Sequence, residues 1–130
     1  MAYLIDTNIA IHLRDGTDQV IDQTVAHDGE VMLSALSLAE LQRGLYKDPA
    51  YTGPRAARLR VLLDYLPVVP FDAEAAEAYG QIIARCGWVS GRDFDRMIAA
   101  HAIRMSAVLA TDNEGDFTDI PGLVWENWLK

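Results

Sequence analysis

The sequence predicts an α/β fold with a mainly parallel central sheet and helices on both faces. Three features point there. Short, wholly apolar runs such as Tyr3-Leu4-Ile5, Val31-Met32-Leu33 and Val108-Leu109-Ala110 suit strands buried on both sides. Between them lie amphipathic stretches with helix start and stop signals. No hairpin turn of the Asn-Gly type joins one apolar run to the next, so the strands are expected to connect through helical crossovers. A chain of 130 residues reads as one domain, residues 1–130, with its own core.

Composition narrows the class. Hydrophobic residues make up 51% of the chain, which favours a folded globule over a disordered chain. The single cysteine, Cys86, leaves no internal disulfide or cysteine-based zinc site and reads as a small buried apolar residue. No run approaches membrane-spanning length and no basic-then-apolar leader opens the sequence, so the expected location is the cytoplasm, away from membranes. The formal net charge of -8 argues against a surface coated in basic residues for non-specific nucleic-acid binding. It is compatible with a local basic face, and with carboxylates gathered to hold a cation.

The first strand runs into Asp6, then Thr7 and Asn8, small polar residues that suit a strand-to-helix turn. In an open α/β sheet, ligands sit beyond the carboxyl ends of the strands, where strand order reverses. Asp6 is therefore either a helix cap or a site acid. A helix is expected from Asn8 to Arg14, stopping at Asp15-Gly16, and a second from Gln19 to Ala26. Asp28-Gly29 is a turn before the strand Val31-Met32-Leu33. His12 and His27 fall near helix ends without a partner at ligand spacing and read as surface residues.

Ser37-Leu38-Ala39-Glu40 has the form of a capping box, with Ser37 as cap and Glu40 as third helical residue. From that first turn Glu40 can also face the sheet edge that holds Asp6. The stretch from Arg43 to Arg60 then turns basic: Arg43, Lys47, Arg55, Arg58 and Arg60 stand against Asp48 alone. Pro49 and Gly53-Pro54 divide it into two helices, the second ending near Tyr65. Tyr46 and Tyr51 are interleaved with the cations, which makes this a candidate phosphate-contacting face.

Leu66 to Pro70 reads as a proline-bracketed strand at a sheet edge. A helix starts at Asp72 and stops near Cys86-Gly87. Ser90 to Asp95 opens the next helix, with Ser90 as cap and Asp93 closing a capping box, or else with Asp93 itself as cap. Asp95 shares a helix face with Ala99 and Ala102, small residues that let the helix press on the sheet. A carboxylate there needs a cation or hydrogen-bond donors, so Asp95 ranks above Asp93 as a ligand. His101 reads as a satisfied structural histidine. Val108 to Asp112 repeats the opening pattern of apolar strand and acid, with Asn113, Glu114 and Asp116 following. Leu123-Val124-Trp125 is the last strand, and Trp125 and Trp128 are expected to seal the core.

In such a sheet Asp6 and Asp112 end two strands that can be neighbours, and Glu40 and Asp95 start helices that can face the same edge. Carboxylates crowded into one cleft repel, and their pKa values rise unless a cation is present. Oxygen ligands without His or Cys suit magnesium or manganese rather than zinc. Such an ion beside a basic, tyrosine-bearing helix pair is suited to cutting a phosphodiester.

These residues resemble the PIN domain, and within it the VapC-type toxin ribonucleases. The resemblance is carried by Leu4-Ile5-Asp6-Thr7-Asn8, by Leu38-Ala39-Glu40-Leu41 with Gly44, and by Asp95 to Ala102. It continues through Ala110-Thr111-Asp112-Asn113 with Asp116-Phe117, and through Pro121 to Trp128. It spans nearly the whole chain in the family's order. It implies a PIN-like three-layer sandwich and magnesium-dependent endonucleolytic cleavage of RNA. The acids it implies are Asp6, Glu40 and Asp95, with the fourth either Asp112 or Asp116; Asp6 and Asp95 are the metal ligands it supports most directly. It also implies a VapB-type antitoxin partner and a toxin homodimer. An aspartate-nucleophile phosphatase would want a second acid where Asn8 stands. A non-catalytic PIN-like module that binds RNA or protein is the other reading, and the intact set of acids argues against it.

Overall fold

The computed structural model describes Met1 to Lys130. Five strands form one sheet: β1 (Tyr3–Ile5), β2 (Val31–Ser34), β3 (Val68–Val69), β4 (Val108–Thr111) and β5 (Trp125–Asn127). Every pairing is parallel, in the order β3-β2-β1-β4-β5. The six α-helices are α1 (Thr7–Asp15), α2 (Asp18–Ala26), α3 (Ala35–Leu45), α4 (Thr52–Tyr65), α5 (Ala73–Cys86) and α6 (Asp93–Arg104). The chain builds outward from β1 through β2 to β3, then returns to the far side of β1 for β4 and β5. Strand order reverses between β1 and β4, and the carboxyl ends of those two strands are where a ligand belongs.

Strand side chains alternate between the two faces. Tyr3, Ile5, Leu33 and Ala110 pack with Ile9, Val20, Leu41, Leu59 and Leu62 from the first four helices. Leu4 and Leu109 point the other way, against Ile82 of α5 and Ile98, Ala99 and Ala102 of α6. The three-layer arrangement follows from β1, β2 and β4 being apolar on both sides. The alanines of α6 are fully buried, so that helix lies close to the sheet. Trp128 seals the first core as expected.

Several local expectations are corrected. The cap of α3 is Ser34, whose Oγ accepts from the Leu36 N–H at 3.1 Å, so Ser37 lies inside the helix, fully buried. The capping-box pattern at Ser37 therefore has no capping role, because the helix starts directly from the end of β2. In α6 the cap position is Arg92, with no side-chain cap, and Asp93 instead accepts from the Tyr79 hydroxyl at 2.7 Å and the Trp88 indole N–H at 2.9 Å. β5 begins at Trp125 rather than Leu123, with the Val124 carbonyl already accepting from the Leu109 N–H of β4 at 2.9 Å. β3 is reduced to Val68–Val69, at the edge as expected.

His27 is not a free surface residue: its ring lies 4.1 Å from that of Tyr3 and 6.0 Å from that of Trp128. Cys86 is only partly buried, with its thiol directed at the Asp119 carbonyl at 3.5 Å. His101 is fully buried and its Nδ1 lies 2.8 Å from Ser34 Oγ, tying α6 to the start of α3. Burial holds the His101 imidazole below its ordinary pKa, in the neutral form.

Candidate active site

Asp6 follows directly on β1, at the point where strand order reverses. Both readings of this residue hold at once. Its Oδ1 accepts from the Ile9 N–H at 2.9 Å and so caps α1. Its backbone N–H reaches the Ala110 carbonyl at 3.0 Å, which fixes it against β4. Only 7% of the residue is exposed. Burial drives its carboxyl up to about 6, Asp112 and Asp95 push the same way, and the Thr111 hydroxyl and Ile9 N–H oppose them.

Three helices bring side chains to Asp6. From α1, Thr7, Ile11 and Arg14 share one face, as the i, i+4, i+7 spacing requires. From α3, Glu40, Leu41 and Gly44 do the same, and from α6 come Phe94, Asp95 and Ile98. Together they line a cleft of about 930 Å³. The Thr7 hydroxyl donates to Glu40 Oε1 at 2.5 Å, and Ser37 Oγ lies 3.2 Å from it. Arg43 approaches the other oxygen of Glu40 at 3.7 Å. Glu40 is therefore held between a hydroxyl and a cation rather than serving in a cap, and it sits in mid-helix rather than in the first turn.

Asp95 is the third residue of α6. Burial raises its carboxyl to about 6; Asp116 adds charge repulsion and a direct carboxyl contact, Glu40 adds more repulsion, and Arg92 relieves part of it. Asp112 and Asp116, alternatives in the sequence, separate here. Asp112 turns toward His12, with Oδ2 at 3.7 Å from Nε2, while its Oδ1 is buried without a partner. His12 is half-exposed and also held by Thr17 at 2.9 Å, so it too is less free than expected. Asp116 accepts from the Asn113 amide and meets Asp95.

The basic stretch divides as well. Arg43, Lys47 and Arg55 line the cleft; Arg58 and Arg60 do not. Arg58 instead points to Asp15 at 3.9 Å, and Arg60 is exposed on α4. Arg55 is steered by the Tyr51 ring, 5.2 Å away, and by the Gly44 carbonyl at 3.5 Å. Thr7, Arg14 and Asn113 line the cleft beside the acids, and Ser37 touches Thr7 from the buried side; none of them is singled out as a site residue by the sequence. The helical spacing from Thr7 to Arg14 was the available signal.

No three His, Cys, Asp or Glu side chains converge tightly enough to enclose an ion. Magnesium does not need such a cage, since it keeps several waters and takes one or two carboxylates. The donors that line the cleft are oxygens, and a buried carboxylate, Asp6, and a half-buried one, Asp95, both raised to about 6, are in the condition that a divalent cation relieves. The residues fit a hard divalent ion.

Comparisons with known proteins give the family and the fold. The PIN domain family model matches residues 3–123. Ribonuclease VapC2 of Rickettsia felis is 32% identical, with 100% of each chain covered. The tRNA(fMet)-specific endonuclease VapC of Shigella flexneri is 30% identical, with 98% of each covered. Among solved structures, VapBC2 from Rickettsia felis bound to a promoter DNA fragment matches with a TM-score of 0.88 and 30% identity, covering 98% of this chain and 99% of that one. DNA-bound VapBC from Salmonella typhimurium matches with a TM-score of 0.87 and 28% identity, covering 98% of both. With its sheet order, its acids at the β1–β4 reversal and these full-length relatives, the chain belongs to the PIN domain family, among the VapC ribonucleases.

Proposed function

We propose that this chain is a metal-dependent endoribonuclease, the toxin of a toxin–antitoxin pair, that hydrolyses RNA phosphodiester bonds with magnesium, or manganese in its place. The observation that carries the reading is the meeting of Asp6, Glu40 and Asp95 in one cleft whose rim bears Arg43, Lys47 and Arg55. Asp6 and Asp95 hold the ion, and Asp116 is the fourth acid through its contact with Asp95. Asp112 faces His12 and acts on the site only through the charge it places near Asp6. When bound, the ion makes water a better nucleophile and stabilises charge that builds on the phosphate. Glu40, held by Thr7, is the acid placed to accept a proton at the edge of that cluster. Arg43, Lys47 and Arg55 grip the RNA backbone; Arg58 and Arg60, outside the cleft, act at longer range.

A freely acting ribonuclease would damage its own cell, so a restraining partner is expected. The VapBC complexes among its structural relatives make a VapB-type antitoxin the partner of choice. An antitoxin segment that lays a helix beside the cleft and offers an Arg or Lys to its acids would silence it. Association of the toxin with a second copy is part of the same reading. Expression of the chain alone should halt growth, co-expression of its antitoxin should restore it, and purified protein should cut total RNA with magnesium but not with chelator. Normal growth with abundant folded protein and no antitoxin would overturn the toxin role. It would leave the non-catalytic binding module as the alternative if RNA also survived intact.

A further inference from the structure

We infer that Tyr46 forms a stacking subsite for one unpaired RNA base beside the acid cluster. The inference rests on the ribonuclease reading and names the form of RNA the site takes. Four aromatic side chains are strongly exposed: Tyr46, Tyr51, Tyr65 and Trp88. Three of them are engaged. Tyr51 carries the Arg55 guanidinium over its ring at 5.2 Å. The Tyr65 hydroxyl donates to Asp28 at 2.6 Å, and the Trp88 indole N–H donates to Asp93 at 2.9 Å. Tyr46 is 72% exposed, has no side-chain hydrogen bond and packs against no other ring, and it alone of the four lines the cleft that holds Asp6, Glu40 and Asp95.

The residue is also firmly mounted. It caps the C-terminal end of α3, the helix that carries Glu40. The backbone beside it is clamped: the Gly44 carbonyl accepts from Arg55, and the Leu45 carbonyl accepts from the Thr52 hydroxyl at 2.5 Å. Its sequence neighbour Lys47, with Arg43 and Arg55, supplies positive charge around it. Exposed aromatic faces among cations are how proteins hold single-stranded nucleic acid, with phosphates on the cations and a base on the ring. A base inside a duplex has both faces covered and has none to offer the tyrosine. The subsite therefore selects single-stranded or looped RNA.

The test uses short single-stranded oligoribonucleotides of mixed sequence, each with one 2-aminopurine, bound to the whole chain in chelator so that none is cut. Stacking on Tyr46 should quench the fluorophore at one register. Tyr46→Ala should abolish that quench and weaken binding about tenfold to a hundredfold, the range that loss of one base–aromatic stack gives. Tyr46→Phe should retain both. The salt dependence should be the same in all three proteins, because no phosphate contact is lost, and binding of a duplex of matched sequence should not respond to Tyr46→Ala. Wild-type affinity in Tyr46→Ala, or equal loss in Tyr46→Phe, overturns the subsite. So does unaltered RNA binding with weakened antitoxin binding, which would assign the ring to the protein partner. A wild-type chain that neither binds these oligonucleotides nor cuts total RNA with magnesium overturns the ribonuclease reading first, and the subsite with it.

Discussion

Replacing Asp6 by Asn should stabilise the metal-free protein while ending its cleavage of RNA. Asp6 is raised from 3.8 to about 6 in the fold. At about 1.36 kcal/mol per pKa unit, ionised Asp6 costs the native state up to about 3 kcal/mol. The sign follows from proton binding. Below pH 3.8 the carboxyl is protonated in both states and costs nothing. Between that value and about 6 the unfolded chain loses its proton first, so native stability falls as pH rises; above about 6 the loss is complete. Asn cannot ionise, and its Oδ1 can still accept from the Ile9 N–H and cap α1. Allowing for an amide that fits less well, the gain at pH 8 is about 2 kcal/mol, or roughly 6–10 °C in Tm for a domain of this size. Thermal unfolding of both proteins in chelator, from about pH 4 to pH 8, measures it. The variant should gain nothing at the acid end and most at the alkaline end, and added magnesium should raise the Tm of the wild type more than that of the variant. A variant less stable than wild type at pH 8 would refute the picture of a buried charge that its two hydrogen-bond donors only partly compensate. Cleavage at wild-type rate would refute its place in the site.

Asp95→Asn should likewise end cleavage with the fold retained, since Asp95 has the same raised carboxyl; a rate assay with circular dichroism as control decides it. Asp116→Asn should lower kcat about a hundredfold or more, whereas Asp112→Asn should cost much less, because only Asp116 touches Asp95; the reverse order in single-turnover assays would exchange the two. Arg43, Lys47 and Arg55 changed together to Ala should reduce the slope of log affinity against log salt by about 2, at roughly 0.7 per lost single-strand contact. Arg58 and Arg60 changed together should alter it little. Ser34→Ala removes a helix cap and leaves the buried His101 Nδ1 unpaired; denaturant titration should show a loss of about 2 kcal/mol.

The sequence alone determined the layers of this protein. Runs such as Tyr3-Leu4-Ile5 and Val108-Leu109-Ala110 are apolar at every position, so they must be covered on both faces, and that forces a parallel sheet between helices. It also determined that acids stand at element ends, and Asp6 and Asp95 meet where that pattern leads. Helix starts were less legible, because Ser34 and Ser37 offer the same capping chemistry and only the end of β2 chooses between them. Tertiary structure decided what local patterns could not. Asp112 and Asp116 are four residues apart with the same carboxylate, yet one faces His12 and the other faces Asp95. Arg55 and Arg58 are one turn apart on α4, yet only Arg55 is drawn into the cleft, by Tyr51 and the Gly44 carbonyl, while Arg58 is drawn to Asp15. The physical reason is range. Burial and helical periodicity are encoded within a few neighbouring residues, whereas the partner of a charge comes from wherever the fold brings another element.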